Sequence, residues 1–425
     1  MGANGVRLTD AELAGRVVAG VDTHADTHWL CVLDDRGRVA LSREFPADAG
    51  GYAALAEAIG DPSGCAAVGV EGTCSYGAGL ADELRGRGFR VLEVLNKKKA
   101  RRRRRGEGKD DATDAERAAR DVLAADGTSV PKLRGGWVDD VRALLIAREQ
   151  CVKAAVGAHA AALSLARCAP EGQRRRWEGM REEAMMTSVL ELGPTGAVTA
   201  LERSMLALAR SWEVARAEAG DLEREMRALV GENCPALLAM YCCGPVSAAA
   251  LAVAAGENPG RLGSEASFAM LCGAAPIPAS SGKTGGRVRL NRGGDRRANS
   301  ALHSIVVRRA RYDPETRDYI DRRMGQGLSR AEALRCLKRY VAREAYRALT
   351  HPRDVGERVD RSSLREARLA AGLTQRDVAA ALGVAVSSVS GVETGRNQCR
   401  RLAERYSRWV MDGMPLDAGD IGKSP

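Results

Sequence analysis

Two apolar runs each carry one acid where a buried strand should carry none: Asp22 in RVVAGVDTH (16–24) and Glu71 in AAVGVEGT (66–73). An unpaired charge in an apolar strand is costly to bury. A fold that accepts both acids must therefore place them beside something that compensates them. The order of elements around them is regular. Residues 16–45, RVVAGVDTHADTHWLCVLDDRGRVALSREF, give three short strand-like stretches, with Asp35, Arg36 and Gly37 as a tight turn. A helical stretch (GGYAALAEAI), a buried strand (AAVGVEG, 66–72), a helix (YGAGLADELRGRG), a second buried strand (FRVLEVLN, 89–96) and an acidic helix beginning near Lys109 follow.

A three-stranded meander followed by α-β-α-β-α is the order of a ribonuclease H-like α/β domain. In such a sheet the first and fourth strands are neighbours, so Asp22 and Glu71 emerge side by side. Asp111 and Asp114, in GKDDATDA, are three residues apart and share one helical face. Four converging carboxylates repel one another unless divalent cations are bound. Hard oxygen ligands suit Mg²⁺ or Mn²⁺, and two such ions about 3.5 to 4 Å apart can clamp a phosphodiester. Taken singly, each acid could instead be a strand-end or helix N-terminal residue stabilised by the helix dipole; Asp22 and Glu71 resist that reading because each interrupts an apolar strand.

Immediately before the acidic helix stands a basic run: Lys97, Lys98, Lys99, Arg101, Arg102, Arg103, Arg104 and Arg105. Cations placed beside metal-binding carboxylates suit a polyanionic substrate. The run would hold the phosphate backbone while the acids act on one bond, supplying affinity rather than base specificity.

At 425 residues the chain is too long for one ordinary core, and it carries 65 Lys and Arg against 55 Asp and Glu. The basic excess is concentrated at 97–105 and 283–311, which points to nucleic acid. No stretch approaches the roughly 18 to 20 apolar residues of a membrane span, and MGANGVRLTDAEL lacks a signal-peptide core, so a cytoplasmic, bacterial protein without membrane partners is expected. The 11 cysteines form no metal-like CxxC pair, and with only five histidines a zinc enzyme is disfavoured. Aromatic residues make up 4%, too few for extensive base stacking.

Beyond the α/β region the chain reads as mostly α. Leu201, Met205, Leu208, Trp212, Ala215, Ala219, Leu222, Met226 and Leu229 alternate steps of four and three, a coiled-coil seam. Its partner could be a second copy of the chain, the helix at 138–168 in an antiparallel hairpin, or its own domain's core. Small apolar helices follow Pro235 and lead into the basic segment GKTGGRVRLNRGGDRRANSALHSIVVRRARY. From Ser362, LREARLAAGLTQRDVAAALGVAVSSVSGVETGR carries two helices joined at Gly383, with Thr374 as a helix N-cap. Four regions are therefore expected: 16–126 (catalytic α/β), 137–232 (coiled coil), 233–350 (helical) and 360–412 (helix-turn-helix).

Three motifs resemble the DEDD-type insertion-sequence transposases, or recombinases, guided by a structured bridge RNA. They are AGVDTHADTH with VEGTCSYGAGLADELRGRGFRVLEV; GKDDATDA, similar to that family's Lys-x-Asp-x-x-Asp-Ala; and APIPASSGKTGGRVRLNRGGDRRANSALH. The match spans roughly residues 16–350. The resemblance implies a RuvC-like catalytic domain whose four acids are Asp22, Glu71, Asp111 and Asp114, binding Mg²⁺ or Mn²⁺, with Asp110 as the neighbouring alternative. It implies a serine nucleophile, Ser281 with Ser280 as its rival, that forms a covalent phosphoserine with DNA. The acids of one subunit would complete a site with the serine of another, in a dimer or tetramer. Lys283, Arg287, Arg289, Arg292, Arg296 and Arg297 would bind phosphates of double-stranded DNA or of the structured guide RNA.

The chain departs from that family in two places. Val246 stands where a second glycine is common after Gly244, and the repressor-type helix-turn-helix at 362–410 is an addition whose second helix offers Ser387, Ser388 and Ser390 but no Arg, Lys or Asn to read base edges. Two other functions fit parts of the sequence: a junction-resolving nuclease in which water attacks, and a helix-turn-helix DNA-binding regulator on a nuclease-like scaffold.

Overall fold

The computed structural model describes residues 6–95, 110–133, 135–197, 199–278, 288–289, 291, 293–352, 361–394 and 400–411. The chain divides into two compact units, Met1–Leu133 and Arg134–Pro425.

In the first unit a capped turn of helix, α1 (Asp10–Leu13), precedes the strands β1 (Val17–Thr23), β2 (Thr27–Leu33) and β3 (Val39–Pro46). Then come α2 (Ala49–Ile59), β4 (Cys65–Glu71), α3 (Ala78–Gly86), β5 (Val91–Val94), α4 (Asp111–Leu123) and a two-residue strand, β6 (Thr128–Ser129). The sheet order is β3-β2-β1-β4-β5-β6. The meander is antiparallel, while β4 joins β1 in parallel and β5 joins β4 in parallel. This is the mixed α/β, RuvC-like arrangement that the order of apolar runs implies; β6, which pairs antiparallel with β5, is an addition that a two-residue run could not announce. Asp34 explains the first turn: its Oδ1 accepts from the amides of Arg36 and Arg38 at 3.0 and 2.8 Å.

Strand alternation sorts the two faces. Ala19, Val21, Val68 and Val70 pack with Leu55, Leu80 and Leu84 of α2 and α3. The residues between them, Val18 and Ala67, join Ala118 and Val122 of α4 on the other face. Gly20 and Gly69 occupy that same α4 face by the two-residue period of a strand. A Cβ on Gly20 would lie 2.1 Å from the Ala119 amide nitrogen and 2.5 Å from the Ala115 carbonyl oxygen. The helix backbone thus rests directly on the strand, with small alanines (Ala115, Ala118, Ala119) at its contact stripe.

The second unit is largely helical. Its long helices α5 (Trp137–Cys168) and α9 (Ala200–Asn233) pack along each other, with α6 (Glu171–Arg174), α7 (Glu182–Leu190) and α8 (Gly193–Gly196) between them in sequence. Val138, Val141 and Leu145 near the start of α5 share a core with Met226 and Val230 near the end of α9; Ala155 to Ala166 share another with Met205 and Trp212. The pair is therefore antiparallel. Met205, Trp212, Ala219 and Met226, seven residues apart, are the buried members of the heptad seam, and Arg148 Nη2 pairs with Glu223 at 2.8 Å. An antiparallel hairpin with α5 is thus what occupies the seam, as one of the three readings of the heptads expected.

Further helices follow: α10 (Pro235–Ala239), α11 (Pro245–Ala255), α12 (Glu265–Leu271), the paired strands β7 (Ile277–Pro278) and β8 (Val288–Arg289), α13 (Arg296–Tyr312), α14 (Pro314–Gly325) and α15 (Arg330–Thr350). Helix α11 is buried all round and packs against α13. The C-terminal helices are α16 (Arg361–Ala370), α17 (Gln375–Leu382), α18 (Val386–Glu393) and α19 (Arg400–Met411). Thr374 caps α17 in a reciprocal box with Asp377, and Leu364, Val378, Leu382, Val389, Val392 and Tyr406 form this module's core. At its centre Arg368 Nε meets Glu393 Oε1 at 2.6 Å, and Glu393 also accepts from Tyr406 and Gln375. Among the described residues no helix is long and apolar enough to cross a membrane.

Replacing Gly20 by Ala should cost about 1 to 3 kcal/mol through overpacking and backbone displacement, read as a lower midpoint in chemical denaturation. Gly64→Ala, where an added Cβ meets nothing within 4 Å, should leave the midpoint unchanged. In the C-terminal module, burial pushes the Glu393 carboxyl up but the bonds from Arg368, Tyr406 and Gln375 outweigh it, so it lies below its ordinary value. A lowered carboxyl stabilises the fold above its unfolded pKa and loses that contribution as pH falls through the folded one. Hydrogen-exchange protection of α17 and α18 should therefore fall in acid, below the ordinary glutamate range. Glu393→Gln, which strands a buried guanidinium, should remove about 3 to 5 kcal/mol at neutral pH and abolish that acid step.

Candidate functional site

The parallel pairing sets Val21 of β1 opposite Val70 of β4, so the next residues, Asp22 and Glu71, leave the sheet together. Both fall on the α4 face by alternation, and both are buried, at 5% and 4% exposure. The Thr23 hydroxyl donates to the Glu71 carbonyl at 2.9 Å, tying the two strand ends. Helix α4, laid against Gly20, brings its first turn to the same place. All four acids predicted from the sequence thus lie at one edge of the sheet, but they do not form a single ring of carboxylates.

They divide into two groups. In the first, His24 Nε2 lies 3.2 Å from Asp22 Oδ2 and 3.2 Å from Asp111 Oδ1, and one ligand atom from each of the three residues lies within 4.8 Å of the others. In the second, Arg117 donates from Nη1 to Asp114 Oδ1 at 2.7 Å and from Nη2 to Glu71 Oε1 at 3.0 Å. Asp111 and Asp114 share a helical face, yet Asp111 meets His24 while Asp114 meets Arg117, whose guanidinium lies between Asp114 and Glu71. Burial pushes the Glu71 carboxyl above its ordinary value, and the charges of Asp22 and Asp114 add to this. The hydrogen bond from Arg117 opposes it without reversing it.

Asp110 has a different role from its neighbour. It is the N-cap of α4, accepting from the Ala112 amide at 3.4 Å and from the Thr113 hydroxyl at 2.7 Å. Its caps hold it at the start of the helix, while Asp111 joins the histidine group.

His24 and Arg117 were not singled out from the sequence. The signal for His24 was present in AGVDTHADTH: two residues beyond Asp22 on an extended chain, it returns to the same side. Arg117 lies three residues after Asp114, hence one turn along the same helical face. Two carboxylates and an imidazole with converging donor atoms fit one divalent cation, and the mixture of hard oxygen and imidazole nitrogen suits Mn²⁺ at least as well as Mg²⁺. The Glu71 and Asp114 pair fits a second cation only where Arg117 is elsewhere.

The basic residues fall partly outside the described residues: Lys97, Lys98, Lys99, Arg101 to Arg105, Lys283, Arg287 and Arg292 do so, as do Ser280 and Ser281. Arg289 lies on β8, paired with Ile277. Arg296 and Arg297 open α13 and are exposed. Arg297 is held by Glu149 of α5 at 3.0 Å, so nucleic-acid phosphate would have to compete with that carboxylate. At the start of α11, Gly244 is the N-cap and Pro245 takes the first helical position, which removes one amide donor from that helix end.

The division of labour between adjacent aspartates is testable by calorimetric Mn²⁺ titration. Asn caps a helix as well as Asp does, so Asp110→Asn should leave Mn²⁺ affinity within about twofold, whereas Asp111→Asn should weaken it by at least about tenfold.

Sequence models of known families match three parts of the chain. The sequence model of the IS110 DEDD domain, described as a transposase, matches residues 19–165. That of the transposase IS116/IS110/IS902 family matches residues 234–321, and a helix-turn-helix model matches residues 364–398. No curated protein matches the chain. The first match carries the four acids and the second the segment with Ser281. Together these two cover more than half of the 425 residues, and the chain belongs to the IS110 family of transposases.

Proposed function

We propose that this transposase cuts and rejoins DNA strands at the ends of its own insertion element and at a target site, directed by a structured bridge RNA, with Asp22, Glu71, Asp111 and Asp114 as the acidic centre and Ser281 as the nucleophile. The observation that carries the reading is the burial of Asp22 and Glu71 side by side on the face where α4 delivers Asp111 and Asp114. Buried acids gathered at a strand edge, with a strongly basic segment just before α4 in the sequence, fit phosphodiester chemistry better than they fit a structural role.

When bound, Mg²⁺ or Mn²⁺ would polarise the scissile phosphate and favour ionisation of the attacking hydroxyl. Asp22, His24 and Asp111 would hold the cation. In the serine step the Oγ–P bond would form as the P–O bond to the departing strand breaks, and the Ser281 proton would pass by way of solvent to the departing oxygen, which leaves as a hydroxyl. The departing hydroxyl, or one from another strand, reverses the step and releases the serine, so no external energy source is needed. The acids of one copy acting with the serine of another would make a dimer or tetramer the working unit. Lys97 to Arg105 and the cations between Lys283 and Arg297 would grip DNA and RNA backbones.

The test is a cleavage assay with purified protein, its element's flanking RNA and matched duplex DNA in Mg²⁺, resolved on denaturing gels. An RNA-dependent protein–DNA adduct is expected, absent in Ser281→Ala. In Asp22→Ala it should be reduced at least about a hundredfold, the upper end of losses seen even for residues one shell out from a metal. Normal cutting by Ser281→Ala with no adduct would replace the serine by water. Adduct formation without RNA would remove the guide from the reading.

A further inference from the structure

We infer that Tyr76 is a stacking platform for one nucleobase of the DNA strand held at the acidic edge, so that the base beside the scissile phosphate rests on this ring while the acids act on the phosphate. The inference rests on the phosphodiester-cutting reading above. It adds a substrate contact outside the four acids, the serine and the basic segments.

The ring stands where such a strand must pass. Tyr76 lies in the loop that leaves β4 immediately after Glu71, in VEGTCSYG. That loop is tightly built. Gly72, at a φ of 62°, turns the chain, and its carbonyl oxygen accepts from the Ser75 amide at 2.8 Å, the Gly77 amide at 3.2 Å and the Ser75 hydroxyl at 3.1 Å. Thr73 is buried, at 1% exposure. Gly77 rests on the strand ends themselves: a Cβ there would lie 2.5 Å from the Glu71 carbonyl oxygen and 3.2 Å from Thr23 Cγ2. Consecutive Cα atoms are about 3.8 Å apart, so Tyr76 starts one residue from atoms that touch the main chain of Glu71.

The ring is also unused. Tyr76 is 61% exposed. Tyr312 and Tyr340 are nearly as open, but each lies beneath a guanidinium, Arg311 at 5.3 Å and Arg343 at 5.7 Å, and Tyr340 also meets Tyr319 edge-on. Among the described residues Tyr76 has no ring, cation or hydrogen-bond partner. A tyrosine has only two side-chain torsions to fix, and its apolar face gains by leaving water. A nucleobase with one free face matches that surface. Inside a duplex both faces are covered by neighbouring pairs, so the stacked base is one where the strands separate. Every base has a π-face, which makes such stacking tolerant of sequence. The contact would therefore hold the strand in register over the acids without reading it.

The test uses full-length protein with its element's flanking RNA and matched duplex DNA carrying 5-iodouracil at each position of the element end in turn. Light-induced crosslinks are mapped by peptide mass spectrometry. One position should crosslink to the peptide that carries Tyr76, and Tyr76→Ala should abolish that crosslink. At saturating DNA in Mg²⁺, Tyr76→Ala should cut at least about fivefold more slowly than wild type. An abasic site at the same position should slow wild type equally and Tyr76→Ala no further, the non-additivity of two groups in contact. Tyr76→Phe, which keeps the ring, should recover both crosslink and rate. Thermal unfolding checks that each variant is folded, and the wild-type crosslink decides the inference even where the alanine variant unfolds. No crosslink to Tyr76 from any position of bound DNA, additive losses, or Tyr76→Phe as slow as Tyr76→Ala would each overturn it. A crosslink at Tyr76 in protein that never cuts DNA would keep the stacked base and overturn the phosphodiester-cutting reading instead. A protein that bound no DNA would overturn both.

Discussion

The acidic site depends on how closely one helix can lie on one strand. Helix α4 carries Asp111, Asp114 and Arg117, and its backbone touches β1 at Gly20, where even a methyl group would meet main-chain atoms. That contact fixes both the height of the helix above the sheet and its rotation, through the alanines that face the strand. Because Asp22 is only two residues from Gly20 on the same face, the distance from strand acid to helix acid is set by backbone contact rather than by side-chain packing. Long side chains in this layer would permit rotameric adjustment; glycine and alanine permit almost none. A site that must hold several like charges in fixed relation benefits from such a stiff seat.

The second unit solves a different problem by different means. Helices of 32 and 34 residues need a partner along their length, and α5 and α9 supply it for each other by running antiparallel. The heptad seam was legible because its period is local to the chain. What it packs against was not, since a seam of Met, Trp and Ala fits a second copy as well as a neighbouring helix. Only the long connection through α6, α7 and α8 and the cores at both ends resolve this.

Legibility of the site followed the same division. Asp22 and Glu71 stood out because burial of a lone charge is expensive, and strand order then placed them together. Motif resemblance favoured Asp111 over Asp110; what spacing could not show is that Asp110 caps the helix. The two-group arrangement was not legible. Which carboxylate meets an arginine and which an imidazole depends on the turn after β1 and on the rotation of α4, and neither is encoded in spacing alone. Helical periodicity says that Asp111 and Asp114 share a face; it does not say what else the fold puts between them.

The helix-turn-helix module draws its core wholly from residues between Leu364 and Val410, and its central ion pair, Arg368 with Glu393, is internal as well. Among the described residues no other part of the chain contributes a side chain to that core. In evolutionary terms the module is separable cargo. A mobile element could gain it, exchange it or discard it in a single step, and thereby change how its transposase is held near DNA.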